Sequence, residues 1–152
     1  MRRFRFRLQA VLGLRDLEEQ QARVALGVSH RRLAREAAQL QALESDSGAH
    51  TDLRARRRTE GAPPAQIIRL DAYGDALRQA IFEQMQRVIQ AEDDVAASRD
   101  ALRVAMQRRE ILSKLRDRRR AEHYQAGLAE EQKALDDFAA VRFAAGKRAT
   151  SP

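Results

Sequence analysis

The chain has no cysteine and no tryptophan. Without cysteine there is no disulfide framework and no thiolate chemistry, and the redox compartment stays open. Proline occurs only at positions 63, 64 and 152, so no proline interrupts the stretch from Ile67 to Phe143. Aromatic residues make up 5% of the chain, too few for the core of an ordinary globular domain. No apolar run approaches the roughly 20 residues needed to span a bilayer. The segment Leu8 to Leu14 behind Arg2 and Arg3 is too short for an export signal and runs straight into Arg15 and Asp16. The chain therefore reads as cytosolic.

Residues that could carry chemistry are equally scarce. His30, His50 and His123 are far apart in sequence and form no His-Glu-x-x-His pattern, so they read as solvated helix positions. Glu92, Asp93 and Asp94 are consecutive, and consecutive helix positions point about 100° apart, which prevents them from converging on one ion. There is no glycine-rich phosphate loop, and Ser29, Ser98 and Ser113 have no identifiable base or oxyanion support. No catalytic, cofactor-binding or metal-binding residue is assigned, and the chain reads as a non-enzyme.

What is abundant is charge and helix-forming sequence. Charged residues make up 34% of the chain, and much of the 43% that is hydrophobic is alanine. This composition with helical periodicity points to a coiled coil. Ile67, Leu70, Leu77, Ile81, Val88, Val95 and Leu102 recur at steps of three, four and seven, which places them on one narrow seam. Gln84, Ser98 and Arg109 fall on that seam as polar interruptions. Upstream, Leu8, Val11, Leu12, Leu14 and Leu17 give a broad apolar face, and Leu26, Leu33, Leu40 and Leu43 continue it. Gly13 and Gly27 weaken this helix by about 1 kcal/mol each relative to alanine.

Between the two periodic stretches lies Gly61-Ala62-Pro63-Pro64, through which no helix runs. The expected fold is all-α, a long antiparallel two-helix coiled-coil hairpin with a C-terminal helical overhang. Its single domain covers 1–152, with helix 1 at about 8–57, a tip at about 59–65, helix 2 at about 66–143 and a tail at 144–152. Residues 45–58 are either helical or partly loosened after Ser45-Asp46-Ser47-Gly48. Facing residues should have numbers summing to about 125, which sets Leu12 near Leu112 or Ser113 and Leu40 near Met85. The first helix is used up when the second reaches about residue 120. Tyr124, Leu128, Leu135, Phe138 and Val141 then form a stripe with no partner in the hairpin.

The net charge is +7, carried by both ends. Residues 1–60 hold 13 basic and 8 acidic groups, 61–107 hold 5 and 7, and 108–152 hold 11 and 7. Basic runs lie at Arg54, Arg56, Arg57 and Arg58 and at Arg108, Arg109, Lys114, Arg116, Arg118, Arg119 and Arg120. They suit a solvated surface offset by Glu110, Asp117 and Glu122, an acidic protein surface, or nucleic-acid phosphates. No aromatics interleave with the second run, which weighs against single-strand binding.

Both ends resemble a known family. The opening Phe4-Arg5-Phe6-Arg7-Leu8-Gln9-Ala10-Val11-Leu12-Gly13-Leu14-Arg15 is similar to that of the flagellar export protein FliJ family. Leu112, Leu115, Arg119, Arg120 and Tyr124, followed by Glu130-Glu131-Gln132-Lys133 and Leu135-Asp136-Asp137, resemble its C-terminal half. Gly13 and the Pro63-Pro64 tip match no family pattern. The resemblance implies a non-enzymatic part of the flagellar type III export apparatus, an antiparallel two-helix coiled coil seated as a stalk in the export ATPase ring. It implies promotion of ring assembly, a link to the export gate membrane protein, contact with export chaperones, and a cytoplasmic place peripheral to the inner membrane at the flagellar base. The expected partner-binding residues are Phe4, Phe6, Leu8, Arg116, Arg119, Arg120, Tyr124, Leu128, Leu135 and Phe138. The competing classes are a basic nucleic-acid-binding coiled coil and a self-associating structural one.

Overall fold

Long runs of good helix formers with one double-proline break leave the chain few options, and the structure follows them. A computed structural model describes residues 3–149, with side chains through Arg142. Among these residues it holds two helices and no strand, α1 at Gln9–Thr59 and α2 at Pro64–Ala149. The fold is an all-α hairpin of two long helices packed against each other. α1 runs unbroken through Ser45–Gly48. No proline interrupts it there, and nearby hydroxyls bond back into the helix, Thr51 Oγ1 to the Ser47 carbonyl at 2.9 Å and Thr59 Oγ1 to that of Ala55 at 3.1 Å. α2 continues to Ala149, past the expected end at 143, through alanines that give it no stop. The final residues of the expected tail lie outside the described residues.

The tip closes α1 and opens α2 with a few backbone bonds. Gly61 has φ +73°, the left-handed conformation that favours glycine. Its amide donates to the Arg58 carbonyl at 3.2 Å, and the Ala62 amide donates to that of Arg57 at 3.0 Å. This is a Schellman closure, which satisfies carbonyls that the last turn would leave bare. Pro64 then takes the first helical position, where a missing amide proton costs nothing, and the Pro63 carbonyl accepts from Gln66 at 2.9 Å. Arg56, Arg57 and Arg58 in the last turn of α1 complement its negative end.

The chain falls into two compact units, one of Met1–Leu17 with Met106–Pro152 and one of Glu18–Ala105. In the second unit both helices keep the alternating three-four spacing of a coiled-coil seam. On α1 the covered positions include Glu19, Ala22, Leu26, Ser29, Leu33, Glu36, Leu40, Leu43, Ser47, His50 and Arg54. On α2 they include Leu70, Gly74, Leu77, Ile81, Gln84, Val88, Ala91, Val95, Ser98, Leu102 and Ala105. Small residues at Gly74, Ala91 and Ala105 let the helices approach, and Ala91 is wholly buried.

Several seam layers are polar and paired across the helices. Gln84 is fully buried and donates to the Glu36 backbone carbonyl at 3.0 Å and to its Oε2 at 2.7 Å. Ser29 and Ser98 share a hydrogen bond of 2.8 Å between their hydroxyls. Arg54 and Arg58 both pair with Asp71, and Arg32 pairs with Asp94. His50 is buried, contrary to the solvated place expected of it. The missing side chain of Gly74 leaves room for its ring, which lies edge-on to Tyr73 at 5.1 Å. Met85, set opposite Leu40 by the numbering, is exposed, and the buried residue at that level is Gln84. Facing numbers sum to 120 for Glu36 with Gln84, 123 for His50 with Tyr73 and 127 for Ser29 with Ser98.

Candidate functional site

The expected partner-binding residues all fall in the unit built from the chain's two ends. Residues 3–6 are not helical, and α1 begins only at Gln9, so Phe4 and Phe6 lie on a non-helical lead-in. Alternation does the local work. Arg3, Arg5 and Arg7 are exposed, while Phe4 and Phe6 turn inward and are half-buried. The Phe4 ring meets His123 of α2 edge-on at 5.6 Å. Asp16 accepts from Arg109 Nε at 3.0 Å. These facing pairs sum to 127 and 125.

The lead-in lines two clefts. One, of about 710 Å³, is lined by Arg3, Phe4, Arg5, Phe6, Gln9, Arg116 and Arg120. The other, of about 940 Å³, is lined by residues 3–8 together with Leu115, Arg119, Glu122, His123 and Ala126. The structure thus brings together Phe4, Phe6, Leu8, Arg116, Arg119 and Arg120. Arg3, Arg5, Arg7, Gln9, Leu115 and His123 join them without having been singled out. For the three arginines the signal was present in the sequence, where Arg3, Arg5 and Arg7 alternate with Phe4, Phe6 and Leu8 at a period of two.

Tyr124, Leu128, Leu135 and Phe138 lie further along α2 and line neither cleft. From Leu128 to Arg142 every side chain is exposed, Leu135 and Phe138 each by 66%. The broad face expected around Leu12 is covered only at Leu12 itself, which is 3% exposed. Leu8, Val11, Leu14 and Leu17 remain exposed. One partner helix covers only a narrow seam, which leaves the flanks of a wider face open.

The basic run is partly neutralised from within. Arg118 and Arg119 both reach Glu122, Arg116 pairs with Asp117, and Lys114 pairs with Glu110. The hydrogen bond from Lys114, ahead of the attraction of its charge, holds the Glu110 carboxyl below its ordinary range. By contrast Arg3, Arg5, Arg7 and Arg120 have no carboxylate partner among the described residues. No group of side chains among those residues could hold a metal ion, and no helix among them is long and apolar enough to cross a membrane.

A two-helix chain with basic, aromatic ends calls for comparison with known proteins. A sequence model of the flagellar FliJ protein matches residues 4–148, nearly the whole chain. The chain belongs to the FliJ family. As a FliJ-family protein it is a component of flagellar type III export, and that family is a non-catalytic part of the export machinery. Its fold is similar to the structure of a putative YscO homolog, CT670, from Chlamydia trachomatis. The TM-score is 0.56 at 16% sequence identity, covering 96% of this chain and 99% of that one. A search of curated protein sequences found no match.

Proposed function

We propose that this FliJ-family chain is a non-enzymatic stalk seated in the ring of the flagellar export ATPase. It promotes assembly of the ring, connects it to the export gate membrane protein, and handles export chaperones. It works in the cytoplasm, peripheral to the inner membrane at the flagellar base, with the gate supplying the membrane contact. The observation that carries this reading is the uncovered apolar stripe of Tyr124, Leu128, Leu135, Phe138 and Val141 on a chain that belongs to an export family. Burying each of its larger side chains against a partner supplies about 1.5–3 kcal/mol, which the isolated chain forgoes. Phe4, Phe6, Leu8, Arg116, Arg119 and Arg120 extend the same docking surface.

The test is the double substitution Leu135→Ala and Phe138→Ala in the full chain. Both side chains are exposed, so helix content and melting temperature should stay near the parent's. Stimulation of the cognate export ATPase should fall by about tenfold or more, the scale expected for two docking anchors. Full stimulation by the double variant would remove this stripe from the mechanism. A change in oligomeric state would favour self-pairing instead.

A further inference from the structure

The lead-in Arg3–Leu8 has features that a stalk does not require. The backbone groups of Arg3, Phe4 and Arg5 make no hydrogen bond among the described residues. The first lead-in bond runs from the Gln9 amide to the Phe6 carbonyl at 3.1 Å. Residues 3–6 are not helical and residues 7–8 turn into α1, the side chains alternate cation and apolar, and the segment lines both clefts. Guanidinium groups bind carboxylates in planar, bidentate fashion, and an extended segment with a bare backbone accepts another strand.

We propose that residues 3–8 form a docking edge for an extended protein segment in which acidic and bulky apolar residues alternate. The segment adds to the backbone of Arg3–Arg5. Its carboxylates meet Arg3, Arg5, Arg7 and Arg120, cleft-lining guanidiniums that have no carboxylate partner among the described residues. Its apolar side chains enter the clefts beside Phe4, Phe6 and Leu115. Charge complementarity selects this occupant. Four unneutralised cations border two clefts that Phe4 and Phe6 also line, and Glu122, a carboxylate lining the larger cleft, is already engaged by Arg118 and Arg119. The period-two spacing selects an extended segment over a helix, whose side chains would not stay in register with it. The proposal rests on the stalk reading, since it names the chemistry that the partner presents to this end of the chain.

The experiment is fluorescence anisotropy on the full-length protein at physiological salt. The probe is a short labelled peptide of alternating aspartate and leucine. Comparison probes are a peptide of the same composition with the aspartates and leucines in separate blocks, an oligo-aspartate, single-stranded DNA, and vesicles containing phosphatidylserine. The alternating peptide should bind most tightly. Phe4→Ala with Phe6→Ala should weaken it by about tenfold or more, as should Arg120→Glu, which alters an exposed side chain and leaves folding alone. Equal binding of the blocked peptide or oligo-aspartate would overturn the alternating geometry. Tighter binding of DNA or vesicles would overturn the protein partner, and exclusion of the peptide by self-association would make a second copy the occupant. ATPase stimulation by the unaltered protein separates the two readings. Peptide binding without stimulation supports the edge and sinks the stalk, whereas stimulation without peptide binding sinks the edge and leaves the stalk.

Discussion

Glycine substitutions show how one missing methyl group is used in two ways. Gly48 lies inside α1, and a Cβ built on it meets nothing within 4 Å. Gly48→Ala should therefore raise stability by about 1 kcal/mol, the ordinary helix-propensity gain. At Gly74 the same methyl comes 3.0 Å from His50 Nε2 and 3.4 Å from its Cδ2. His50 is buried and has Tyr73 against its ring, so it cannot swing aside without uncovering the seam. Gly74→Ala should destabilise the protein despite its propensity gain. In a His50→Ala background the same change should recover a gain of about 1 kcal/mol. Urea melts of the four proteins in this cycle measure the coupling. Equal effects of Gly74→Ala in both backgrounds would mean that His50 and Gly74 do not constrain each other.

At the scale of the helices, register is the property that decides what faces what. The Ser29 and Ser98 hydroxyls are 2.8 Å apart across the seam, and the chain has no native cysteine to compete. Ser29→Cys with Ser98→Cys should form an intramolecular disulfide at high dilution, visible as a mobility shift that reduction reverses. Closing a loop of 69 residues should stabilise the fold by about 4 kcal/mol on the chain-entropy model. Intermolecular crosslinks alone would mean that the helices pair between chains. The all-α hairpin was legible in the sequence because leucines at sevenfold spacing and one double proline leave little else. The polar half of the seam was harder to read. Glu36, Ser47, His50 and Arg54 look like surface residues, and only cross-helix partners such as Gln84 and Asp71 make their covered places intelligible. Half of the candidate site was legible for a similar reason. Phe4 and Phe6 stand out as rare aromatics, but arginines are everywhere in this chain. What distinguishes Arg3, Arg5, Arg7 and Arg120 is that they gather at the clefts beside Phe4 and Phe6 with no carboxylate partner among the described residues, which periodicity does not report.

For the molecule as a whole, the net charge of +7 overstates what a polyanion would find. Near the tip, Arg54 and Arg58 are held by Asp71 and Arg57 by Glu60. Along α2, Lys114, Arg116, Arg118 and Arg119 each have a carboxylate at hand. A nucleic acid gains its affinity by exchanging counterions for free cations, so clustered unneutralised groups matter more than the total. The concentrated set is Arg3, Arg5, Arg7 and Arg120. Four phosphate contacts on duplex DNA give a salt slope of about −3.6, so affinity should fall roughly a hundredfold between about 50 and 200 mM salt. Binding at physiological salt should then lie at the weak end of the non-specific range, with a Kd of about 10⁻⁴ M or weaker. Arg120→Glu should make the slope shallower by about one, because one contact is lost. A salt titration of labelled duplex by anisotropy measures all three quantities. A much steeper slope, or tight sequence-selective binding at physiological salt, would mean that the paired arginines exchange their carboxylates for phosphates. The basic ends would then serve nucleic acid before protein.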